Sequence, residues 1–276
     1  MNDLPLGAVI AFDFETWNVA DEIALLKSAG VTRVQIYRNY VQGIAAEKVR
    51  ATLTDAGLAI DSLHGYFHLK KFPGPVCDLS SADPALREAS LEIMRREAAY
   101  AATLGCRDIV IHPVGDGPTA GDPYRPAALV ASARDLAEIA RSAGVRFLIE
   151  NMPPPMFTGN AELLREVVDE VGGEFVGLAF DVGHATLAKD PIGTILAMGP
   201  RLWGVHLHDT RGTEDDHLIP GLGAVPFDDV ARALAQVNFR GTFMIEVYRP
   251  TAEVRRDLTP AVLENINRLR RIASGM

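Results

Sequence analysis

The sequence predicts an α/β protein of the (β/α)₈ TIM-barrel class, and three observations lead to this prediction. Eight short apolar runs alternate with longer segments of helical periodicity. Most of the helical segments end at a glycine, the residue that most easily takes the left-handed conformation at a helix C-terminus. The length of 276 residues suits one such barrel, since barrels average ~250 residues. Alternation of this kind implies a parallel sheet covered by helices, and eight units favour closure into a single domain over 1–276.

The predicted strands are short and rich in Val, Ile and Leu, as expected for parallel strands that are buried on both faces. No linker or low-complexity tract separates them, so one domain accounts for the whole pattern. The eight predicted strands are Ala8–Phe12, Arg33–Tyr37, Ala59–His64, Asp108–His112, Arg146–Glu150, Val176–Asp181, Trp203–His208 and Thr242–Glu246.

The helical segments lie between these strands and carry recognisable start signals. Asp83-Pro84 and Asp190-Pro191 each place an N-cap residue before a proline at the first helical position. The eight predicted helices are Val19–Ala29, Ile44–Ala56, Asp83–Leu104, Pro126–Ala143, Asn160–Val171, Asp190–Met198, Pro226–Val237 and Ala252–Ser274.

A doubly wound open sheet is the structural alternative. Such a sheet usually carries a glycine-rich nucleotide-binding loop after its first strand. Here the sequence Phe-Asp-Phe-Glu-Thr-Trp stands at that place, over positions 12–17. The closed barrel is therefore the preferred prediction.

The composition limits the classes of function. The chain carries 27 basic and 36 acidic residues, a net charge of −9, which disfavours nucleic acid as a partner. Cys77 and Cys106 cannot build a disulfide framework or a zinc ribbon. The N-terminus has no secretory pattern and no run reaches the ~18 apolar residues of a membrane span. We therefore expect a cytoplasmic protein without membrane contact, for which a homo-oligomer is compatible with the sequence.

Acidic and imidazole side chains occur where the predicted strands end. In a barrel the C-terminal ends of all strands meet at one mouth, where the site is built. All seven histidines lie at a strand end or in the following loop. The residues concerned are Asp13, Glu15, His64, His68, His112, Glu150, Asp181, His184, His206, His208, Asp215, His217 and Glu246.

Carboxylates and imidazoles together, without thiolate, indicate a site for a divalent metal: Zn²⁺, Mn²⁺, Fe²⁺ or Co²⁺, and less favourably Mg²⁺. Four residues on consecutive strands converge most readily on one cation, and we call Glu150, Asp181, His206 and Glu246 the quartet. A second set could bind further metals or substrate hydroxyls: His64, His112, His184, Asp215 and His217. His68 and His208 are expected to support other ligands, whereas Asp13 and Glu15 are expected at the rim.

Six short motifs resemble the xylose isomerase-like superfamily of (β/α)₈ barrels, which includes sugar-phosphate isomerases and epimerases and endonuclease IV. They are IHP at 111–113, IEN at 149–151, FDVGHA at 180–185, VHLHD at 205–209, DDHLIPGLG at 215–223 and IEV at 245–247. The motifs span most of the barrel. They are specific for the superfamily and poorly specific for the substrate.

The resemblance implies two ligand sets. The single-metal site of the epimerases is similar to the quartet. The three-zinc site of endonuclease IV falls on the quartet together with His64, His112, His184, Asp215 and His217. The glycine-histidine opening of the nuclease branch is absent here, and PGLG stands where that branch has a glutamate before the last glycine. The resemblance therefore favours the isomerase and epimerase branch.

The first functional hypothesis is a metal-dependent isomerase or epimerase of a sugar, a sugar phosphate or a small hydroxy-ketone. A cation on the quartet would stabilise an enediolate while Glu150 and Glu246 take and return a carbon-bound proton. His184 and Arg211 are candidates for binding substrate hydroxyls or a phosphate. Aromatic residues near the strand ends are candidate pocket walls: Trp17, Tyr66, Phe67 and Phe157.

Two alternatives remain open. The nine-residue set could bind several zinc ions for hydrolysis of a phosphate ester, as in endonuclease IV. Lyase or dehydratase chemistry begins with the same proton abstraction and also fits the first hypothesis. Both the identity and the number of metal ions, as well as the sugar itself, lie beyond what the motifs specify.

Overall fold

Eight parallel strands form the barrel that the sequence predicts. The computed structural model describes residues 3–12, 18–38, 43–67, 74–114 and 125–275. The strands are β1 (Leu6–Phe12), β2 (Arg33–Arg38), β3 (Ala59–His64), β4 (Asp108–Ile111), β5 (Arg146–Glu150), β6 (Val176–Asp181), β7 (Leu202–His206) and β8 (Phe243–Ile245). From β1 to β7 each strand pairs with the next one in sequence, and β8 pairs with β1.

The barrel closes between its seventh and eighth strands just beyond the end of β7. Leu207 and Ile245 form a parallel bridge there. The N–H of Leu207 donates to the carbonyl of Met244 at 2.9 Å, and the N–H of Glu246 donates to the carbonyl of Leu207 at 3.1 Å. This closure brings the end of the last strand next to the end of β7.

The helices cover the outside of the barrel. They are α1 (Val19–Ser28), α2 (Ala46–Ala56), α3 (Pro84–Leu104), α4 (Arg125–Ala143), α5 (Ala161–Glu170), α6 (Val182–Leu187), α7 (Pro191–Met198), α8 (Phe227–Gln236), α9 (Thr251–Asp257) and α10 (Pro260–Ala273). Side chains of Asn18, Asp83 and Asn160 accept hydrogen bonds from the first turns of α1, α3 and α5. These caps satisfy donors that an isolated helix start leaves free.

Two helix predictions differ from the structure. The single C-terminal helix expected over Ala252–Ser274 is two helices, because Pro260 cannot donate the backbone hydrogen bond that would continue α9. Thr259 caps the second of them through Val262. The short helix α6 was not predicted, since six residues are too few to display a 3.6-residue period. The predicted strand limits are correct within two residues.

The barrel interior is packed at its N-terminal end and polar at its C-terminal end. Val110, Leu148 and Ala179 form an internal layer against Trp203. A Cβ atom at Gly177 would lie 2.3 Å from the Trp203 ring, so glycine is needed for this close approach. This layer separates the N-terminal end of the barrel interior from the polar end, where the acidic and imidazole side chains lie.

The remaining core lies between the strands and the helices, where one large apolar cluster includes Cys77 and Cys106. Both cysteines are free and buried. Burial raises the pKa of each thiol to about 12, which keeps them protonated and unreactive. Within the described ranges, none of the helices combines the length and the apolar character that crossing a membrane requires.

Candidate metal centre

The quartet lies at the polar end of the barrel. Glu150, Asp181 and His206 are the last residues of β5, β6 and β7, and Glu246 directly follows β8. Asp181 and His206 are register partners in the parallel pair of β6 and β7. Because alternate residues of a strand share one face, these side chains project into the barrel interior with the packed layer beneath them.

The four side chains converge tightly. Nδ1 of His206 lies 3.2 Å from Oε1 of Glu150 and 3.2 Å from Oε2 of Glu246. The same nitrogen is 3.9 Å from Oδ2 of Asp181. One ligand atom from each residue lies within 4.8 Å of the others, and none of the four residues is more than 3% exposed.

The chemistry of the quartet fits a divalent cation. Three carboxylates share a buried space, and in the described part of the chain no Arg or Lys forms an ion pair with them. Oε2 of Glu150 is buried without a hydrogen-bond partner among these residues. Buried charges of one sign are costly unless they are paired or bind metal. Carboxylate oxygens and one imidazole nitrogen are ligands that Mn²⁺, Zn²⁺, Co²⁺ and Fe²⁺ accept.

In the absence of metal, the proton on His206 is the counter-charge. Burial alone would lower the pKa of this imidazole, but Glu246 and Glu150 raise it well above its usual range. The imidazole in turn holds the pKa of both glutamates below their usual range despite their burial. A cation bound at the quartet would take the place of this proton, so metal binding would release protons.

Asp181 is held in place from two sides. Nε2 of His208 lies 3.0 Å and 3.2 Å from its two carboxylate oxygens. Oδ1 of Asp181 also accepts the N–H of His184 at 2.7 Å, as the N-cap of α6. His208 is fully buried beside Asp181, and its expected supporting role stays a prediction.

Asn151 joins the ends of β5 and β6. Its Nδ2 donates to the carbonyl of Asp181 at 3.0 Å, and its Oδ1 accepts the N–H of Asp181 at 2.8 Å. The backbone carbonyl of Asn151 lies 2.8 Å from Nδ1 of His184. This buried amide sets the spacing between Glu150 and Asp181.

His64 and His112 meet Glu150 on its other side. Nε2 of His112 lies 3.4 Å, and Nε2 of His64 3.8 Å, from Oε2 of Glu150. The two rings meet edge to face with centroids 5.1 Å apart. Burial and the neighbouring His112 lower the pKa of His64 to about 3, so its imidazole is neutral and can act as a ligand or hydrogen-bond partner. These three residues form a possible second metal group.

Asp215 bridges the remaining pair of histidines. Its Oδ2 lies 3.3 Å from Nε2 of His184 and 3.1 Å from Nε2 of His217. His217 has a φ of 47°, in the left-handed region that costs a non-glycine residue free energy. The ring of His217 stacks on His208 at 4.1 Å, and these two histidines with Glu246 form another possible metal group.

These pairs predict how the stability of the metal-free protein depends on pH. Burial opposes charge on His184 and His217, but their carboxylate partners raise the pKa values to about 10 and about 9. An imidazolium with a raised pKa stabilises the fold below its ordinary pKa of 6.5 and loses this contribution as the pH rises through the raised value. We expect the free energy of unfolding of chelator-treated protein to fall between pH 6.5 and pH 10.

The contribution of His217 is on the order of 3 kcal/mol, because a difference of about 2.5 in pKa corresponds to ~1.4 kcal/mol per unit. Urea unfolding at both pH values, with chelator present, measures the combined change from His184, His206 and His217, and the difference from the variant His217→Gln gives the share of His217. The variant His217→Gln should show a weaker pH dependence than the unmodified protein. Equal pH dependence of the two proteins would contradict this assignment.

The carboxylate of Asp209 organises the loop that follows β7. Oδ1 accepts the N–H groups of Thr210 and Val225 at 2.9 Å and 3.0 Å. Oδ2 accepts those of Gly221 and Gly223 at 2.9 Å and 2.8 Å. A Cβ atom at Gly223 would lie 2.4 Å from Oδ1, so this approach requires glycine. One buried side chain thus fixes both ends of the loop that carries Asp215 and His217.

Arg211 lies apart from the converging residues. Its side chain is 68% exposed, and Nη1 donates to Oδ1 of Asp216 at 2.8 Å. Its role in substrate binding stays a prediction. Asp13, Glu15, Trp17 and His68, all expected near the mouth, are outside the described residues.

The predicted aromatic walls take different positions. The ring of Phe67 lies 4.8 Å from His112 and 5.2 Å from His64, beside the site. Tyr66 belongs to the core instead, and its hydroxyl donates to the carbonyl of Pro75 at 2.7 Å, so its expected wall position is wrong. Phe157 packs against the same core cluster.

Sequence reasoning did not find two tyrosines at the site. The hydroxyl of Tyr248 donates to Oε1 of Glu246 at 2.6 Å. Tyr37, in β2, places its ring 4.7 Å from Tyr248 and 4.6 Å from His64. The sequence contains one indication of the position of Tyr248. It follows Glu246 by two residues, and alternate residues of an extended chain face the same side. An aromatic residue at such a position is, however, more often part of the hydrophobic core.

Comparison with known proteins agrees with this architecture. Residues 23–272 match the family described as the xylose isomerase-like TIM barrel. The chain belongs to that family. This match covers nearly the whole barrel and confirms the resemblance that the six motifs indicate.

Individual relatives cover smaller parts of the chain. An uncharacterized protein of Methanocaldococcus jannaschii is 30% identical over 184 residues, 62% of each chain. An inosose isomerase of Bacillus velezensis is 31% identical over 124 residues, 42% of this chain and 44% of the relative. These two matches thus span less than two-thirds of each relative's length.

Solved structures show the same fold. A xylose isomerase domain protein from Planctomyces limnophilus has a TM-score of 0.78 at 20% identity and covers 100% of both chains. A D-tagatose 3-epimerase-like protein has a TM-score of 0.75 at 20% identity and covers 95% of this chain and 98% of its own. At 20% sequence identity, these similarities establish the fold alone.

Proposed function

We propose that the protein is a divalent-metal-dependent isomerase or epimerase of a sugar or a related small hydroxy-ketone. One observation carries the proposal: two buried glutamates, Glu150 and Glu246, approach the same imidazole nitrogen at 3.2 Å each. Such a pair could hold one cation and also exchange protons with a substrate bound to it. The similarity of the chain to an inosose isomerase and to a D-tagatose 3-epimerase-like protein supports this reaction class.

In this proposal the quartet holds the cation. When bound, the cation supplies electrostatic stabilisation for negative charge that develops on the carbonyl and hydroxyl oxygens of the substrate. Neutral His206 and the three carboxylates would supply the ligand atoms. Asn151 and His208 would fix Asp181, which limits the reorganisation needed on binding.

The proton transfers fall to the two glutamates. β5 and β8 are three strands apart in the barrel, so Glu150 and Glu246 approach a substrate from different sides. Oε2 of Glu150 faces Nε2 of His112 at 3.4 Å without a hydrogen bond of normal geometry in the described part of the site, so it could accept a carbon-bound proton. Glu150 itself would return the proton to the neighbouring carbon while a hydroxyl proton moves from one substrate oxygen to the other, whereas Glu246 would return a proton to the original carbon from the opposite face. Return to the neighbouring carbon gives isomerisation, and return to the opposite face gives epimerisation.

The experiment is hydrogen exchange in deuterated water. Chelator-treated protein is reloaded with Mn²⁺ and incubated with an inosose, D-fructose, D-tagatose or D-psicose, and proton NMR follows the hydrogen on the carbon next to the carbonyl. We expect metal-dependent loss of that signal, together with product, for at least one compound. The same protein without metal is the control. A lack of exchange on every compound with Mn²⁺, Co²⁺, Zn²⁺ and Mg²⁺ would overturn the proposal.

A multi-metal phosphoesterase is the second candidate. The group of His64, His112 and Glu150 favours it, as does Asp215 between two histidines, because these could bind cations beyond the quartet. This candidate predicts three ions per chain and cleavage of bis(p-nitrophenyl) phosphate. One ion per chain with carbon–hydrogen exchange supports the isomerase. Exchange accompanied by loss of water would assign the lyase variant of the same chemistry.

A further inference from the structure

Tyr248 distinguishes the two glutamates of the quartet from each other. Its phenol donates to Oε1 of Glu246 at 2.6 Å, a distance typical of a strong bond to an ionised carboxylate. The other oxygen, Oε2, faces His206 Nδ1 at 3.2 Å. One oxygen of Glu246 is therefore engaged by a side chain of the protein, and the other is directed at the quartet.

The ring of Tyr248 is held on two sides. The ring of Tyr37 lies 4.7 Å away at 55°, and the ring of His217 lies 4.8 Å away at 65°. Tyr37 is itself packed on His64 at 4.6 Å. Rotation of the phenol away from Glu246 would have to displace these rings, so the hydroxyl is a fixed donor.

Glu150 has no such donor. Its Oε1 lies 3.2 Å from His206 Nδ1, and its Oε2 faces the imidazole of His112 at 3.4 Å without a hydrogen bond. Both oxygens of Glu150 thus remain available to a cation or a substrate. The two glutamates look equivalent in sequence, but only one of them is oriented by a hydroxyl in the described structure.

We propose that Tyr248 is a positioning residue that fixes Glu246 as a one-oxygen ligand, with Oε2 toward the cation and Oε1 toward the phenol. This inference rests on the proposed function, because it requires a cation at the quartet. Partners that hydrogen-bond to ligating carboxylates orient them, and their loss typically costs ~10–100-fold in metal affinity.

The test compares Tyr248→Phe with Tyr66→Phe. Both variants remove a phenol that donates a hydrogen bond, but Tyr66 donates to the carbonyl of Pro75 in the core. Calorimetric titration of chelator-treated protein with Mn²⁺ should give a dissociation constant raised ~10–100-fold in Tyr248→Phe and unchanged in Tyr66→Phe. The electron paramagnetic resonance spectrum of bound Mn²⁺ should change in Tyr248→Phe alone, because the freed Oε1 of Glu246 can then coordinate as well.

A double-mutant cycle separates this role from general packing. In the background of Glu246→Gln, the further change Tyr248→Phe should alter Mn²⁺ affinity less than twofold, since the oriented carboxylate is already gone. Unaltered affinity and an unaltered spectrum in Tyr248→Phe would overturn this inference and leave the proposed function standing. Failure of the unmodified protein to bind Mn²⁺ would overturn both. Equal losses in the two backgrounds would assign Tyr248 a packing role and also overturn the inference.

Discussion

Replacing Glu150 with Gln is expected to slow hydrogen exchange at the substrate carbon by about 10³-fold, within the ~10²–10⁴-fold range of positioned acid–base groups. The amide keeps the size of the side chain but cannot accept the proton. The residue is buried and contacts His206 and His112, so the isosteric change leaves the packing of the site nearly intact. The measurement is the rate of deuterium incorporation into the sugar or inosose that the unmodified Mn²⁺-loaded protein exchanges.

The matched control for this variant is Glu170→Gln. Glu170 is exposed on α5 and pairs with Arg134 at 2.7 Å, away from the barrel mouth. It should exchange at the unmodified rate. The Glu150→Gln variant must be saturated with Mn²⁺ in the assay. Slower exchange then reports the loss of the proton acceptor and not weaker metal binding. Exchange at the normal rate in the metal-saturated variant would remove Glu150 from the proton transfer.

Asp181→Asn is expected to remove most of the stabilisation of the protein by divalent cations. At a Mn²⁺ concentration 1,000 times the dissociation constant, the unmodified protein should gain ~4 kcal/mol in unfolding free energy. Asp181 is fully buried in the quartet, and its amide variant removes one of the three negative charges that attract the cation. We expect the dissociation constant to rise by more than the ~10–100-fold that outer partners contribute.

Thermal or urea unfolding with and without Mn²⁺ measures this difference. Asp229→Asn is the control, because Asp229 is exposed on α8 and pairs with Arg232 at 2.7 Å. It should keep the full stabilisation. A variant at Asp181 that gains as much stability from Mn²⁺ as the control would show that the cation binds elsewhere.

The fold and the quartet could be predicted from sequence because a parallel barrel collects the ends of its strands at one mouth. Once β5 to β8 were placed within two residues, Glu150 and Glu246 had to meet, whatever the details of packing. Strand limits followed from runs of Val, Ile and Leu bounded by polar residues. The helix break before Pro260 was readable in principle, but the apolar pattern continues across it.

The choice of side-chain partners could not be predicted in the same way. Tyr66 and Tyr248 both lie near strand ends, yet one hydroxyl bonds to a core carbonyl and the other to Glu246. Likewise, Asp209 and Asp216 belong to the polar stretch after β7, but their carboxylates bind backbone N–H groups and Arg211. The hydrogen-bond partner of each side chain depends on its rotamer and on the path of the neighbouring loop. Shifts of a few ångströms in either change the partner, and the local sequence does not specify them.

The four hydrogen bonds of Asp209 also bear on how this scaffold can diversify. The loop after β7 is clamped at its first residue, Thr210, and at its last, Val225, by one carboxylate. Within the loop, Asp215 and His217 face the site and Gly221 and Gly223 donate to Asp209, so these positions are constrained. The exposed side chains of Thr213 and Glu214 can change with little effect on the strand that carries His206. The tip of this loop can therefore vary in sequence while the Asp209 hydrogen bonds keep the loop ends, and the end of β7 beside them, in place.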